Sequence, residues 1–292
     1  MDIKTSYDRR AKAVYFKGGC EQLLRDMPDK SVDLIFTSPP YCMGKDYESS
    51  SSVQDFKVSH TLLLPEIYRV LKPGGSICWQ VGYHVSNGVV TPLDYLVYEA
   101  FSRLPDVVLR NRIIWSFGHG LHCTNRFSGR HETILWFTKG KDFSFDVDPV
   151  RVKQKYPGKT HYKGEKKGEP SGNPLGKNPG DVWEIPNVKA NHLEKTIHPC
   201  QFPIGLVDRF VLALTKKGQV VFDPFAGVAS AGCAALLQGR RFIGAEPNGE
   251  YHAVGMKRLK QALDGTLKYR DPTQPVHVPN PNSKVATDPF KE

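Results

Sequence analysis

The sequence predicts an α/β fold built on a doubly wound, mainly parallel sheet. Two observations carry that prediction. Short apolar runs rich in β-branched residues alternate with stretches of helical periodicity, the pattern of strands joined by crossover helices. Two of the runs also end in loops of unusual composition, "DLIFTSPPYCMG" (33–44) at two prolines and "VVFDPFAGVAS" (220–230) in a glycine-bearing turn. In open α/β sheets the C-terminal ends of strands are where ligands bind. The 292 residues, 39% of them hydrophobic, suit one large domain with an insertion or two small domains, and they exclude a wholly disordered chain.

In chain order, "AVYFKG" (13–18) reads as a strand, "CEQLLRDMP" (20–28) as a helix and "VDLIF" (32–36) as a buried strand. Neither Pro39 nor Pro40 can donate to a sheet, and each holds the residue before it extended, so the strand stops near Thr37. "HTLLLPEIYRVLKPGG" (60–75) has helical spacing and stops at Pro-Gly-Gly, with strand "SICWQVG" behind it. "LDYLVYEAFSRL" (93–104) is a further helix. "LRNRIIWSFG" and "HETILWFTKG" are strands bracketing the loop "HGLHCTNRFSGR". The character changes at about Asp148. Residues 151–177 hold eight Lys or Arg against two Glu, with recurring Gly and Pro, so this is a loop-rich insertion with little core of its own. Regular structure resumes with an amphipathic helix over 203–218. Strand "QVVFDPFAG", helix "SAGCAALLQG", strand "RRFIGAE" and helix "YHAVGMKRLKQAL" follow, and from Asp271 the Pro- and Asn-rich tail reads as poorly ordered.

The formal net charge is +10, and the insertion's excess of six makes up more than half of it. Such a balance points to a polyanionic partner. The six cysteines are scattered without a CxxC pair, which speaks against a disulfide framework or a structural zinc site. His119, His122 and Cys123 lack a matching second pair, so a polar rim loop is favoured over a metal site. With no 18-residue apolar run and no signal-peptide core, the reading is a soluble cytoplasmic protein with no membrane contact.

Two motifs carry chemistry. The turn after "VVFD" lets a ligand approach the backbone at a helix N-terminus. Twenty-three residues after Asp223, Glu246 ends the next strand, a placement that suits a carboxylate accepting from ribose hydroxyls. "TSPPY" fits an exocyclic amine on a planar base. That nitrogen is a poor nucleophile because its lone pair is delocalised into the ring. Ser38 offers a hydroxyl acceptor and Pro39 a carbonyl on a stiff backbone, while Pro40 fixes the turn and Tyr41 supplies a face for stacking.

"TSPPY" together with "FDPFAG" resembles the amino-methyltransferases of DNA that use S-adenosylmethionine. The catalytic motif comes first and the cofactor motif about 185 residues later, an order similar to the family's β class. "FKGGCEQLL" resembles its opening turn and "EIYRVLKPGG" the helix before its next strand. "RHETILWFTKG" resembles its Arg-x-x-Glu strand, and "EKTIHPCQFP" (194–203) its segment beside the cofactor pocket. The match runs over about residues 13–260 except the basic insertion, where the family places its variable target-recognition region. The resemblance implies a Rossmann-like methyltransferase fold in permuted order. Residues 1–147 would form the catalytic half, 148–193 the target-recognition insertion, 194–270 the cofactor half and 271–292 the tail.

Carried over by position, Ser38, Pro39, Pro40 and Tyr41 would hold the target base. Asp223, Pro224, Phe225 and Gly227 would form the methionine-side turn, and Glu246 would bind the ribose. Thr37, His198, Gln201, Gly19 and Cys20 would lie near the cofactor, with no metal involved. Arg126, Arg130, Lys163, Lys166 and Lys167 would contact the phosphates of duplex DNA, and Tyr156 and Tyr162 would stack or pack. The resemblance leaves open a cognate restriction endonuclease, and monomer or homodimer. Two positions depart from the family. Ala229 stands where glycine is usual, tolerable if that position does not need positive φ, and Gly19 stands where Asp is usual. Ser at the first catalytic position resembles cytosine-N4 members more than adenine-N6 members. A catalytically weak DNA-binding relative is the alternative that the departures favour. Methylation of a protein glutamine ranks last, because there the cofactor motif precedes the catalytic loop.

Overall fold

In this computed structural model, residues 2–41, 52–118, 120, 122–189, 191–274, 280–283 and 286–287 are described. Their strands form a nine-stranded sheet. From one edge it runs β1 (Ile3–Lys4), β2 (Ala13–Lys17), β11 (Arg241–Glu246), β10 (Val220–Asp223), β3 (Val32–Thr37) and β4 (Leu71–Val81). It continues through β8 (His131–Lys139) and β7 (Val107–Ser116) to β9 (Val182–Glu184). The pairs are parallel except where β8 runs antiparallel between β4 and β7. A separate hairpin joins β5 (Tyr83–Ser86) to β6 (Val89–Pro92).

Alternation along the central strands sends side chains to both faces, as expected of a sheet covered on both sides. Tyr15, Leu34, Phe36, Val221 and Phe242 pack with α4 (Ile204–Leu214), α5 (Ser230–Leu237) and α6 (Gly249–Leu263). Val14, Ile35, Ile77, Trp79 and Phe222 pack with α1 (Cys20–Asp26), α2 (Val53–Val70) and α3 (Leu93–Phe101) on the other face. Helix α5 is short and made of small residues because it lies tight against the sheet. A Cβ at Gly232 would come within 2.7 Å of Phe242 and Leu259.

The chain path divides at the centre. From β10 it passes through α5 to β11 on one side, and from β3 through α2 to β4 on the other. β3 and β10 are neighbours, with Leu34 opposite Val221 and Ile35 opposite Phe222, so their C-terminal ends flank the switch point.

Several elements differ from the sequence expectation. Helix α2 begins at Val53, well before His60, because the Ser52 side chain caps it by accepting from the Asp55 N–H at 3.1 Å. It ends at Val70, and Leu71 is already extended and paired with Val32, ahead of the Pro-Gly-Gly. Helix α4 ends at Leu214 and does not continue to Gly218. Arg240 takes over the helix end, donating to the Thr215 carbonyl at 2.6 Å and to its hydroxyl at 3.0 Å. The short strands β1, β5, β6 and β9 carry too little periodicity to be read locally. β9 matters most, because it ties the end of the expected insertion, 148–193, into the main sheet beside β7. Residues 152–177 are held by isolated bridges such as Val152 to Lys177, but Trp183 is buried against Phe210, ring centroids 4.8 Å apart, under the Arg209 guanidinium. Ile185 is buried in the same cluster, and Val188 is buried at the wall of a cavity. Of the tail, Pro272 lies against Gly205 of α4. No helix among the described residues is long and apolar enough to cross a membrane.

Candidate functional site

β3 is buried along its whole length and is anchored to its neighbour through Asp33. That carboxylate accepts from the Val220 N–H at 2.9 Å and pairs with Lys72 at 2.7 Å. The anchor fixes where the Ser-Pro-Pro-Tyr loop leaves the sheet. At its root the Thr37 hydroxyl donates to Asp223 Oδ1 at 2.6 Å, bonding the ends of β3 and β10 to each other. Beyond it, Ser38 Oγ and Tyr41 Oη lie 3.2 Å apart. Gln80 on β4 donates from Nε2 to Tyr41 Oη at 2.7 Å, and also to Glu132 on β8. The Tyr41 hydroxyl donates to Glu132 Oε2 at 3.4 Å. Burial first, and then the Glu132 carboxylate, holds the Tyr41 phenol well above its usual pKa, so it stays protonated as a donor.

After β10 the chain makes a turn with two left-handed residues. Gly227 has φ +53°, and a Cβ there would sit 3.2 Å from His198 Nε2. Ala229 has φ +59° and ψ +39°, so the position does need positive φ, and the condition for tolerating alanine is not met. Left-handed backbone costs a non-glycine residue about 1–2 kcal/mol. Surrounding bonds over-determine the turn. Glu246 accepts the Gly227 N–H on Oε2 at 2.9 Å and the Asn248 N–H on Oε1 at 2.8 Å. The Tyr15 hydroxyl donates to the Gly227 carbonyl, and Arg258 to the Val228 carbonyl and, at 3.1 Å, to Ser230 Oγ. Asp223 accepts from the Phe225 N–H at 3.1 Å on Oδ1, while its fully buried Oδ2 has no partner among the described residues. Burial pushes the Asp223 carboxyl up to about 7 and raises Glu246 as well.

Both loops open on one cavity of about 600 Å³. Of the expected residues, Ser38, Pro39, Pro40, Tyr41, His198, Gln201, Phe225, Gly227, Glu246 and Arg126 line it. Gln201 is also structural, donating to the Glu194 carbonyl at 2.8 Å and accepting from Thr196 at 2.8 Å, which shapes the wall segment. The His198 ring meets Tyr251 edge-on at 4.6 Å. Thr37, Asp223 and Pro224 lie outside the lining, the first two bonded together behind it. Gly19 and Cys20 do not line it either. Gly19 precedes α1, and the Cys20 thiol is buried in the core, its pKa raised by that burial.

Arg130 lies beside the lining rather than in it, donating to the Gly129 carbonyl at 2.9 Å. Lys163, Lys166 and Lys167 are exposed on the insertion, away from the cavity wall, as are Tyr156 and Tyr162. His119 lies outside the described residues, and among those described no three His, Cys, Asp or Glu side chains come together to hold a metal ion.

Sequence reasoning missed Gln80, the role of Glu132, and Arg258 under the turn. The Arg and Glu of the β8 strand are also two positions apart, Arg130 and Glu132, and not three as the family spacing has them. The only local signal for Gln80 was a polar residue in the apolar run "SICWQVG".

Comparisons with known proteins place the chain in a family. The DNA methylase family N6_N4_Mtase matches residues 32–257. The type II methyltransferase M.BglII of Bacillus subtilis is 46% identical over 263 residues, covering 90% of this chain and 73% of that protein. The DNA adenine methyltransferase YhdJ of Escherichia coli K12 is 31% identical, covering 88% and 86%. Among solved structures, the cytosine-N4-specific PvuII DNA methyltransferase superposes with a TM-score of 0.67 at 20% identity, covering 90% of this chain and 95% of that one, a likeness of fold. TTHA0409 of Thermus thermophilus, solved in complex with S-adenosylmethionine, gives 0.61 at 24% identity, covering 89% of this chain and 99% of that one, again a likeness of fold. The chain belongs to the N6/N4 family of DNA methylases, which take their methyl group from S-adenosylmethionine.

Proposed function

We propose that this DNA methyltransferase acts on the N4 amine of cytosine flipped out of duplex DNA. The observation that carries the reading is the opening of the Ser38–Tyr41 loop and the Gly227–Glu246 turn onto one cavity at the switch point of the sheet. The residues present fit the cofactor. Asp223 Oδ2, without a partner among the described residues, is a buried acceptor for a cationic donor behind the turn, Gly227 lines the cavity without a side chain to fill it, and Glu246 keeps lone pairs for hydroxyls. Bound there, S-adenosylmethionine supplies an electrophilic methyl on a sulfonium.

The chain's own residues do the rest by positioning. With the Tyr41 hydroxyl donating to Glu132, its oxygen accepts from Gln80 and from Ser38. Ser38 then spends its proton on Tyr41 and turns acceptor lone pairs towards the base. It receives one amine hydrogen and the Pro39 carbonyl receives the other, which aims the amine lone pair and stabilises positive charge as it develops on nitrogen. No strong base is needed, since that proton becomes acidic only after transfer. Adenine-N6 is the second reading, favoured by the identity to YhdJ, because the same acceptors suit either amine. The exposed lysines of the insertion supply phosphate contacts, so binding weakens with salt.

The test is transfer of labelled methyl from S-adenosylmethionine to unmethylated mixed-sequence DNA, with the digested nucleosides identified by mass spectrometry. Labelled N4-methylcytosine is expected, N6-methyladenine overturns the base, and no transfer despite DNA binding favours the weak relative.

A further inference from the structure

Phe127 is fully exposed, at 100%, which no other large apolar side chain among the described residues matches. It sits in the loop joining β7 to β8, at the same edge of the sheet as the cavity. The loop is closed at its base by the Phe117 N–H donating to the Arg130 carbonyl at 3.1 Å, and nearer its tip by the Cys123 N–H donating to Ser128 Oγ at 3.0 Å. Gly129 packs directly against the Tyr83 hydroxyl, so the loop rests on the β5–β6 hairpin. Thr124, Asn125, Arg126 and Phe127 are the exposed tip, and Phe127 is its one apolar member. Its neighbours Cys123, Arg126, Gly129 and His131 all line the cavity, so the ring stands at the cavity's lip.

A single exposed apolar residue is ordinary on a protein surface. Full exposure of a phenyl ring on a braced loop, beside a cavity that accepts a base and an arginine suited to phosphate, is a more specific arrangement. Extruding a base leaves a gap in the stack, and aromatic or aliphatic wedges fill such gaps and hold neighbouring steps apart. We infer that Phe127 is the wedge that enters the duplex beside the flipped nucleotide, with Arg126 on the adjacent phosphate. The inference rests on the methyltransferase reading of the cavity. The ring is exposed in the free protein because its partner is the base stack. It takes no part in the chemistry, and its effect is on the equilibrium between stacked and extruded base.

The experiment uses Phe127→Ala and Phe127→Trp in the full chain. Two duplexes carry the site that the wild-type protein methylates, one fully paired and one with an abasic position opposite the target base. On the paired duplex Phe127→Ala should lose at least about tenfold in kcat/KM, because unpairing is no longer assisted. On the abasic duplex, where extrusion is already easy, it should come within about twofold of wild type. Phe127→Trp should retain most activity on both, and all three proteins should share one melting temperature and one cofactor affinity. Equal loss on the two duplexes, or no loss on the paired one, overturns the wedge while leaving the methyltransferase reading intact. Absence of any transfer by the wild-type protein overturns that reading, and the wedge with it.

Discussion

The loops at the ends of β10 and β3 are neighbours in space but are held in shape by different means. The turn after β10 is fixed through its backbone groups, which side chains around it hold. Its left-handed residues at 227 and 229, its N–H groups bonded to Asp223 and Glu246, and its carbonyls bonded to Tyr15 and Arg258 leave it little freedom. After β3, the described residues 38–41 are fixed by the prolines and, at Tyr41, by side chains from β4 and β8. A turn whose backbone is pinned at each group can cradle a ligand whose shape never changes. A loop whose polarity is set by distant side chains can present acceptors to one kind of base edge.

The largest effect that would separate the two loops lies after β3. Ser38→Ala should keep cofactor affinity and lower turnover on the order of 10²-fold, the usual scale for removing one contact to charge developing in a transition state. Single-turnover methylation alongside cofactor titration checks it, and unchanged turnover removes Ser38 from the mechanism. In the β10 turn, Asp223→Asn should act the opposite way. It should weaken cofactor binding by roughly 10- to 100-fold, the scale of one charge-assisted hydrogen bond, with a smaller effect on turnover at saturation.

The same carboxyl gives a pH signature. Its folded value of about 7 lies above its ordinary 3.8, so between those values the folded state holds more protons than the unfolded one. Stability of the cofactor-free protein from this group is therefore full below about pH 4 and is lost as pH rises towards 7. Melting temperature followed from pH 5 to 8 should fall for the wild type and fall less for Asp223→Asn.

Smaller effects refine the contrast. Gln80→Ala should lower turnover by about tenfold through misplacement of Tyr41, with cofactor affinity unchanged, as kcat and dissociation constants measured side by side will show. Ala229→Gly should relieve left-handed strain. Part of the gain is offset by the extra freedom of glycine in the unfolded chain, leaving stabilisation of about 1 kcal/mol or less, read by denaturant unfolding. A loss of stability there would show that the alanine methyl, fully buried, contributes more through packing than it costs in strain.

The sequence alone determined what is local. The central strands are apolar runs, the prolines at 39 and 40 end β3, and the spacing from Asp223 to Glu246 is set by one strand–helix–strand unit. Each of these is decided by neighbours within a turn or a strand's length, so periodicity and residue type suffice. The tertiary structure decided what depends on partners remote in sequence. Helix α4 stops where Arg240 reaches it, β9 exists because Trp183 finds Phe210, and Cys20 faces the core instead of the cavity. Gln80 and Glu132, 52 residues apart, meet at Tyr41 only because β4 and β8 are adjacent strands. Ala229 shows the boundary between the two. Its identity is legible, but its left-handed backbone is imposed by the bonds that close the turn around it.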